Sequence, residues 1–298
     1  MTTAAGQPAV DLREPAGWRR TKNQIATIAM WTAFFLTLIP LGFVLYTVIA
    51  KGASAINWQF LTGGPIPPNV VPAGIGGMGP AVVGTLLITG LAAVMAVPLG
   101  VLGAIYVNEY GGRGPLARVV RFMADVMTGV PSIVMGLFIF SIWVLHFGYS
   151  GLAGALALGC LMLPIVTSLS REVIATVPTI DKEGAYALGA TRLEMIRGAV
   201  WPHSQGGIVG AVMLGLGRAM GETIAAALVI GSSPVITSHL FAPVYNMPSV
   251  IANEFGEATG VFRAALMGLG VLLFAFTIII NVIARAVVER SARRQRGA

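Results

Sequence analysis

Charge is what this sequence has least of: Asp, Glu, Lys and Arg make up 10% of its 298 residues, against about 25% in an ordinary soluble domain. So uncharged a chain cannot fold alone in water, which excludes a free globular protein. Cysteine is nearly absent as well. The single Cys160 lies in an apolar run, so neither a disulfide framework nor a thiolate metal site can be built. His146, His203 and His239 stand far apart, and no His/Cys/carboxylate cluster has metal-ligand spacing, so no metal and no cofactor is expected. No Gly-Lys dipeptide occurs anywhere, which removes the loop G-x-x-x-x-G-K-[ST] that cradles nucleotide phosphates. If ATP drives this protein, another chain hydrolyses it, and the chain itself is not an enzyme.

What is there is hydrocarbon. Hydrophobic residues make up 56% of the chain and the mean hydropathy is +0.82. Six stretches approach or exceed the roughly 20 apolar residues that cross a bilayer as a helix: Ile25–Ile49, Ala81–Val107, Val126–Phe147, Gly151–Ser170, Gly206–Ile230 and Ala264–Ala284. The expected fold is an all-α membrane protein with six transmembrane helices. Pro98, Pro131 and Pro164 fall inside these spans, where neighbouring helices can re-satisfy the freed carbonyls. Small residues such as those of Gly151–Gly159 suit close helix–helix approach in lipid. Ala53-Ser-Ala55 resembles a signal-peptidase site, but the run Ile25–Ile49 is much longer than an h-region of about 7–15 residues. It reads as a retained helix. Gly74-Ile-Gly-Gly-Met-Gly79 satisfies the dinucleotide pattern G-x-G-x-x-G, yet a Pro-rich loop precedes it instead of a strand; it reads as a flexible entry to the second helix.

The net charge is +7. Its distribution between apolar runs fits membrane orientation, and no nucleic-acid partner is expected. Of the 19 Lys and Arg, sixteen fall on one side of a six-span topology. They are Arg13, Arg19, Arg20 and Lys22; Arg113, Arg118 and Arg121; Arg171, Lys182, Arg192 and Arg197; and Arg285, Arg290, Arg293, Arg294 and Arg296. The other side has Lys51 and Arg263, and Arg218 stands inside a span. The positive side faces the cytoplasm, so both termini are expected there. Three regions follow: a cytoplasmic segment 1–24, a transmembrane domain 25–284 with a long cytoplasmic connection at about 171–205, and a basic tail 285–298.

That connection is too polar to cross the membrane and too regular for a loose linker. Lys182-Glu-Gly-Ala-Tyr-Ala-Leu-Gly189 reads as a short helix stopped by glycine, and Thr191–Val200 as a second one ending at Trp201-Pro202. Two short helices at an angle would form a lever, or an interfacial hairpin with no partner. The residues resemble the "EAA" signature of ABC importer permeases: Glu183, Ala185, a glycine six positions after the Glu at Gly189, and a proline thirteen further at Pro202. Gly184 replaces the usual Ala, and Ala199 and Trp201 replace the usual Ile and Leu. By that resemblance the pair couples the spans to an ATPase subunit, and the fold is the MetI-like importer-permease architecture.

A second signal is Arg218-Ala-Met-Gly-Glu-Thr223, near the middle of the fifth span. A charge there costs roughly 2.5–3.5 kcal/mol on insertion scales, so it faces protein or water. Glu222 is four residues on, about one turn, so helical spacing puts both side chains on one face. Two readings stay open: a self-neutralising pair that locks helices together, or a guanidinium that meets an anion in transit with Glu222 orienting it.

Gly217-Arg-Ala-Met-Gly-Glu-Thr223 is similar to the Arg-Ala-x-Gly-Glu-Thr motif of the permeases of phosphate-specific transport (Pst). Further similar stretches are Gly77–Leu86, Pro98–Tyr110 and Gly129–Gly136. The glycine-rich entry to the second helix resembles the A-type permease, whereas Ile251–Ala258 looks closer to the C-type paralogue. The resemblance implies a phosphate permease in a bacterial inner membrane. Its partners would be a second, homologous permease, an ATP-binding cassette dimer and an extracytoplasmic phosphate-binding protein. Permeases for molybdate or sulfate, an ion-coupled secondary transporter, and a membrane scaffold are the alternatives.

Overall fold

The computed structural model describes residues 18–64, 77–112, 114–236 and 239–296. Arg13, Arg113 and the first half of the glycine-rich run Gly74–Gly79 lie outside them. Among the described residues every regular element is helical, apart from one bridge between Gly231 and Val244. The helices are α1 (Trp18–Gly52), α2 (Trp58–Thr62), α3 (Gly79–Tyr110), α4 (Pro115–Thr128), α5 (Ser132–Phe147), α6 (Gly151–Ala175), α7 (Thr179–Ala187), α8 (Arg192–Gly221), α9 (Ile224–Ile230), α10 (Met247–Glu254) and α11 (Gly260–Arg296). Short π-helical turns interrupt α3, α5 and α8. Four helices are long and apolar enough to cross a membrane, and two bent pairs, α4 with α5 and α8 with α9, bring the number to six when each pair is one span.

The chain divides into two compact units, Met1–Thr47 and Val48–Ala298. In the first, the described part of α1 is a helix on which Trp31 stacks over Phe35. In the second, α6 is the central helix. Its side chains Ala153, Ala155, Ala157, Leu158 and Val166 are fully buried, and it packs against α3, α8, α9, α4 and α5. Alanine and glycine dominate these seams because in lipid there is no hydrophobic drive between helices; close van der Waals contact has to replace it. A Cβ at Gly154 would lie 2.6 Å from Ile230 Cγ2, and one at Gly100 would lie 2.8 Å from Val166 Cγ1.

Three expectations need correcting. The span Val126–Phe147 is not one helix: α4 ends at Thr128, and α5 leaves Ser132 at 110° to it. Pro131 therefore sits in the bend, outside both helices. It has no N–H to give a continuing helix, and it disfavours the α conformation at Val130. The helix from Thr191 does not end at Trp201-Pro202. It runs on to Gly221 because the π turn Ile196–Val200 shifts the hydrogen-bond register just before the proline, with the Trp201 N–H reaching the Ile196 carbonyl. Finally, the sixth span starts earlier than Ala264 and is preceded by a further helix, α10, capped by Asn246, whose side chain accepts from the Ser249 N–H. Arg263 already belongs to α11.

A side chain of α3 ties helix α10 to the bundle. Thr85 Oγ1 in α3 donates to the Ala81 carbonyl at 2.8 Å and accepts from the Met247 N–H at 2.8 Å. One residue earlier, Gly84 lies so close to Tyr245 that a methyl group would overlap its carbonyl oxygen. Gly84→Ala is expected to destabilise the protein by about 1–3 kcal/mol, the usual range for overpacking. Gly90→Ala, on the same helix with nothing within 4 Å, should be neutral or slightly stabilising. Thermal unfolding of both variants in detergent checks this; equal midpoints would contradict the packing.

Candidate functional site

Two places gather the residues singled out from the sequence. The first is the polar connection between α6 and α8. Helix α7 ends in a Schellman motif: the Gly189 N–H donates to the Tyr186 carbonyl at 2.9 Å and the Ala190 N–H to the Ala185 carbonyl at 3.1 Å. Gly189 has φ +81°, a conformation that glycine adopts without steric cost. Two residues later Thr191 and Glu194 form a capping box that opens α8. The Glu194 carboxylate accepts from the Thr191 hydroxyl and the Thr191 N–H, both at 2.7 Å. Those bonds hold the carboxyl below the ordinary range, the side-chain bond being the larger cause. The result is a stiff elbow, Gly189–Thr191, with both helix ends satisfied.

Charged contacts fasten the elbow to the bundle. Lys182 Nζ of α7 meets Glu109 Oε1 at the end of α3 at 2.6 Å, with the Glu109 side chain 6% exposed. The Arg192 guanidinium lies over the Tyr110 ring, 5.2 Å from its centroid. Asn108 Nδ2 donates to the Arg171 carbonyl at 2.6 Å, and Arg171 in turn pairs with Asp125 of α4 at 3.3 Å. Of the four signature residues, Ala185 packs on the cluster around Ile174, Met195 and Ile196. Gly189 makes the turn. Ala185 and Pro202 share the wall of one groove of ≈ 690 Å³ between α7 and α8. Glu183 is exposed and lies outside that groove. Leu188 at the elbow is 90% exposed, an apolar side chain presented outward.

The second place is the break between α8 and α9, which are bent by 60°. Glu222 has left the helix, with φ −72° and ψ 123°, so the one-turn spacing from Arg218 no longer puts the two side chains on one face. No ion pair joins them among the described residues. Each charge is instead matched to a helix end. Arg218 occupies the last turn of α8, where the carbonyl end of the helix dipole favours a cation. Glu222 Oε1 accepts from the Ala225 N–H at 3.3 Å, in the first turn of α9, where exposed amides favour a carboxylate. The break is closed from outside as well: Ser249 Oγ of α10 donates to the Thr223 carbonyl at 3.3 Å. Helix α9 itself is core, with Ala225, Ala226, Val229 and Ile230 all fully buried. Arg218, by contrast, is exposed, and the reading of a self-neutralising lock does not fit this arrangement.

Sequence reasoning missed Glu109, Arg192 and Ser249. Glu109 was the most findable. A carboxylate closing an apolar helix has to meet a cation when buried, and the connection supplies Lys182.

The comparisons with known proteins agree with this architecture. Residues 96–297 match the family described as binding-protein-dependent transport system inner membrane component. A phosphate transport system permease protein PstA 1 of Mycobacterium tuberculosis is 36% identical over 285 residues, which is 93% of this chain and 91% of that protein. A phosphate transport system permease protein PstC of Mesorhizobium japonicum is 35% identical over 87% of each chain. Among solved structures, the bacterial alginate ABC transporter bound to its periplasmic protein superposes with TM-score 0.66 at 15% identity, covering 92% of this chain and 98% of that one. The inward-facing MetNI methionine ABC transporter gives 0.57 at 18% identity, over 71% of this chain and 94% of that one; at such identities the likeness is one of fold. This multi-pass membrane chain belongs to the family of binding-protein-dependent transport system inner membrane components, among the phosphate transport system permeases.

Proposed function

We propose that the chain carries inorganic phosphate inward as one permease subunit of an ATP-driven importer. The observation that carries this reading is the uncoupling of Arg218 from Glu222. Because Glu222 caps α9, the Arg218 guanidinium keeps its planar fork of donors for a passing oxyanion. The names of the relatives support phosphate as that oxyanion. Relatives of both the A-type and the C-type cover most of this chain, and the glycine-rich entry to the second helix favours the A-type.

The remaining parts follow from the elbow and the charge bias. By the charge bias, the basic segments and both termini face the cytoplasm of a bacterial inner membrane. There Glu183, Ala185, Gly189 and Pro202, with exposed Leu188, dock a cassette ATPase dimer that hydrolyses ATP. A second, homologous permease completes the pathway, and an extracytoplasmic binding protein delivers phosphate to it. ATP-driven closure tilts the elbow and turns the cavity from outward to inward access.

Uptake of labelled phosphate by cells depleted of other phosphate carriers tests the site. Arg218→Ala should lower uptake roughly tenfold to a hundredfold, the equivalent of about 1.5–3 kcal/mol for hydrogen bonds to a charged group. Arg218→Lys should fall in between. Undiminished uptake in Arg218→Ala would remove Arg218 from the pathway, and strong competition by molybdate or sulfate would shift the substrate to those anions.

The coupling role has its own test. Lys182→Met strands the Glu109 carboxylate, a change of roughly 3–5 kcal/mol for a fully buried pair and less here because Lys182 is 21% exposed. ATP turnover per phosphate imported should rise severalfold in Lys182→Met and recover in part when Glu109→Gln is added. An unchanged ratio in the single variant would mean that the elbow does not couple the two processes.

A further inference from the structure

The two basic residues that stand apart from the sixteen meet in one cavity. Lys51 is in the last turn of α1 and Arg263 in the first turn of α11, more than 200 positions apart in the chain. Glycine brings them together. A Cβ on Gly52 would lie 2.5 Å from the Met267 carbonyl carbon, and one on Gly268 would lie 3.2 Å from the Gly52 carbonyl oxygen. The end of α1 therefore rests on the α11 backbone, and Arg263 is one turn before that contact. Between them lies a cavity of ≈ 500 Å³ lined by Lys51, Phe255, Gly260, Arg263, Ala264 and Met267.

Two cations facing one cavity repel unless something negative stands between them. No described residue does so. Among the described residues neither Lys51 nor Arg263 is in an ion pair, and neither Glu254 nor Glu257 lines the cavity. The Arg263 guanidinium lies over the Phe255 ring, 5.0 Å from its centroid. That stacking fixes its plane and occupies one face, while the N–H donors along its edge stay available for a bidentate anion. Gly260, at φ +53°, opens α11 on the same wall, so the positive end of a 37-residue helix adds to the field. A point cation, a planar donor fork and a helix N-terminus around one cavity match the charge and shape of a phosphate group.

We infer that Lys51 and Arg263 form a binding site for a phosphate group, separate from Arg218 and at the opposite end of α1 and α11 from the basic segments. The group is either inorganic phosphate or the headgroup phosphate of a lipid. The inference goes beyond the transport reading and does not require Arg218 to touch substrate.

The test uses the transporter purified in a phosphate-free maltoside detergent, in an Arg218→Ala background that removes the pathway residue. One arm measures labelled inorganic phosphate by equilibrium dialysis. The other reconstitutes the transporter with phosphatidylglycerol, re-extracts it and counts retained lipid by native mass spectrometry. Adding Lys51→Gln with Arg263→Gln should reduce binding at least tenfold in one arm, and the arm that responds identifies the source of the phosphate. Lys51→Arg with Arg263→Lys keeps both charges and should keep the ligand. Equal binding with and without the two Gln substitutions in both arms, no binding in either arm, or loss of ligand in the charge-preserving variant would each overturn the site. Because Arg218 is already absent, a failure here leaves the pathway assignment untouched, and the reverse also holds.

Discussion

A broken helix in hydrocarbon must satisfy every backbone group that its break exposes, and much of this structure is arranged to meet that demand. Unpaired amides and carbonyls cost several kcal/mol each where no water can reach them. At Glu222–Thr223 the debt is met from three sides. Glu222 caps the first turn of α9, Thr223 accepts from Ala227 within the chain, and Ser249 reaches across from α10. Helix α10 is in place because Thr85 of α3 holds its first amide. The short helix between the fifth and sixth spans is thus part of the break's support, and the break in turn fixes where Arg218 stands. Discontinuous helices with charged groups at their half-helix ends recur at the binding sites of membrane transporters, and the arrangement here follows the same electrostatics.

The polar end of the bundle obeys a different constraint. It has water on one side, so its backbone could be left to solvent, yet it is the most heavily cross-linked region among the described residues. Lys182 with Glu109, Arg192 with Tyr110, Asn108 with the Arg171 carbonyl, and Arg171 with Asp125 link α7, α8, α3, α6 and α4. Exposed ion pairs alone contribute little, typically 0–1 kcal/mol. The exception is the pair in which Glu109 is nearly buried, and it joins the elbow to the helix most extensively packed on α6. The pair therefore links α7 directly to α3, and it is the contact through which the proposed coupling would act.

What the sequence made legible was what depends on local length and chemistry. Apolar run length located four spans to within several residues and the apolar part of two bent pairs, and Gly189 marked its turn because only a left-handed residue ends α7 that way. The misses are places where tertiary structure decides. Val126–Phe147 is apolar throughout, and hydropathy has no term for a 110° bend; Pro131 was visible but was placed inside a span. Pro202 looked like a stop because a proline ends an α-helix, and a π turn that absorbs it leaves no signature in composition. Helix α10 was signalled by Asn246 before Met247-Pro248, an N-cap followed by proline in the first turn, but it lies between apolar runs, where a search for spans does not register a short helix. The Arg218–Glu222 pairing failed for a sharper reason: the i, i+4 rule assumes a continuous helix, and Glu222 is the residue at which the helix stops.

The continuity of α8 through Pro202 is the correction with the widest consequence. Had the chain stopped at Trp201-Pro202, the elbow and the charged break would sit on separate elements joined by a loose turn. As one helix from Arg192 to Gly221, the elbow and Arg218 are ends of one rod, about 40 Å apart at 1.5 Å per residue. The π turn is the weak point of that rod, since its register shift leaves the helix less regular than an α-helix. It lies beside the buried cluster of Met195, Ile196 and Val200, which holds it straight. On the proposed coupling role, displacement of α7 at the elbow would be carried along α8 as a tilt and would move Arg218 against α9, whose Val229 and Ile230 are fully buried. An exposed Arg218 at one end of that rod beside a buried α9 is the arrangement that the proposed alternation of access requires.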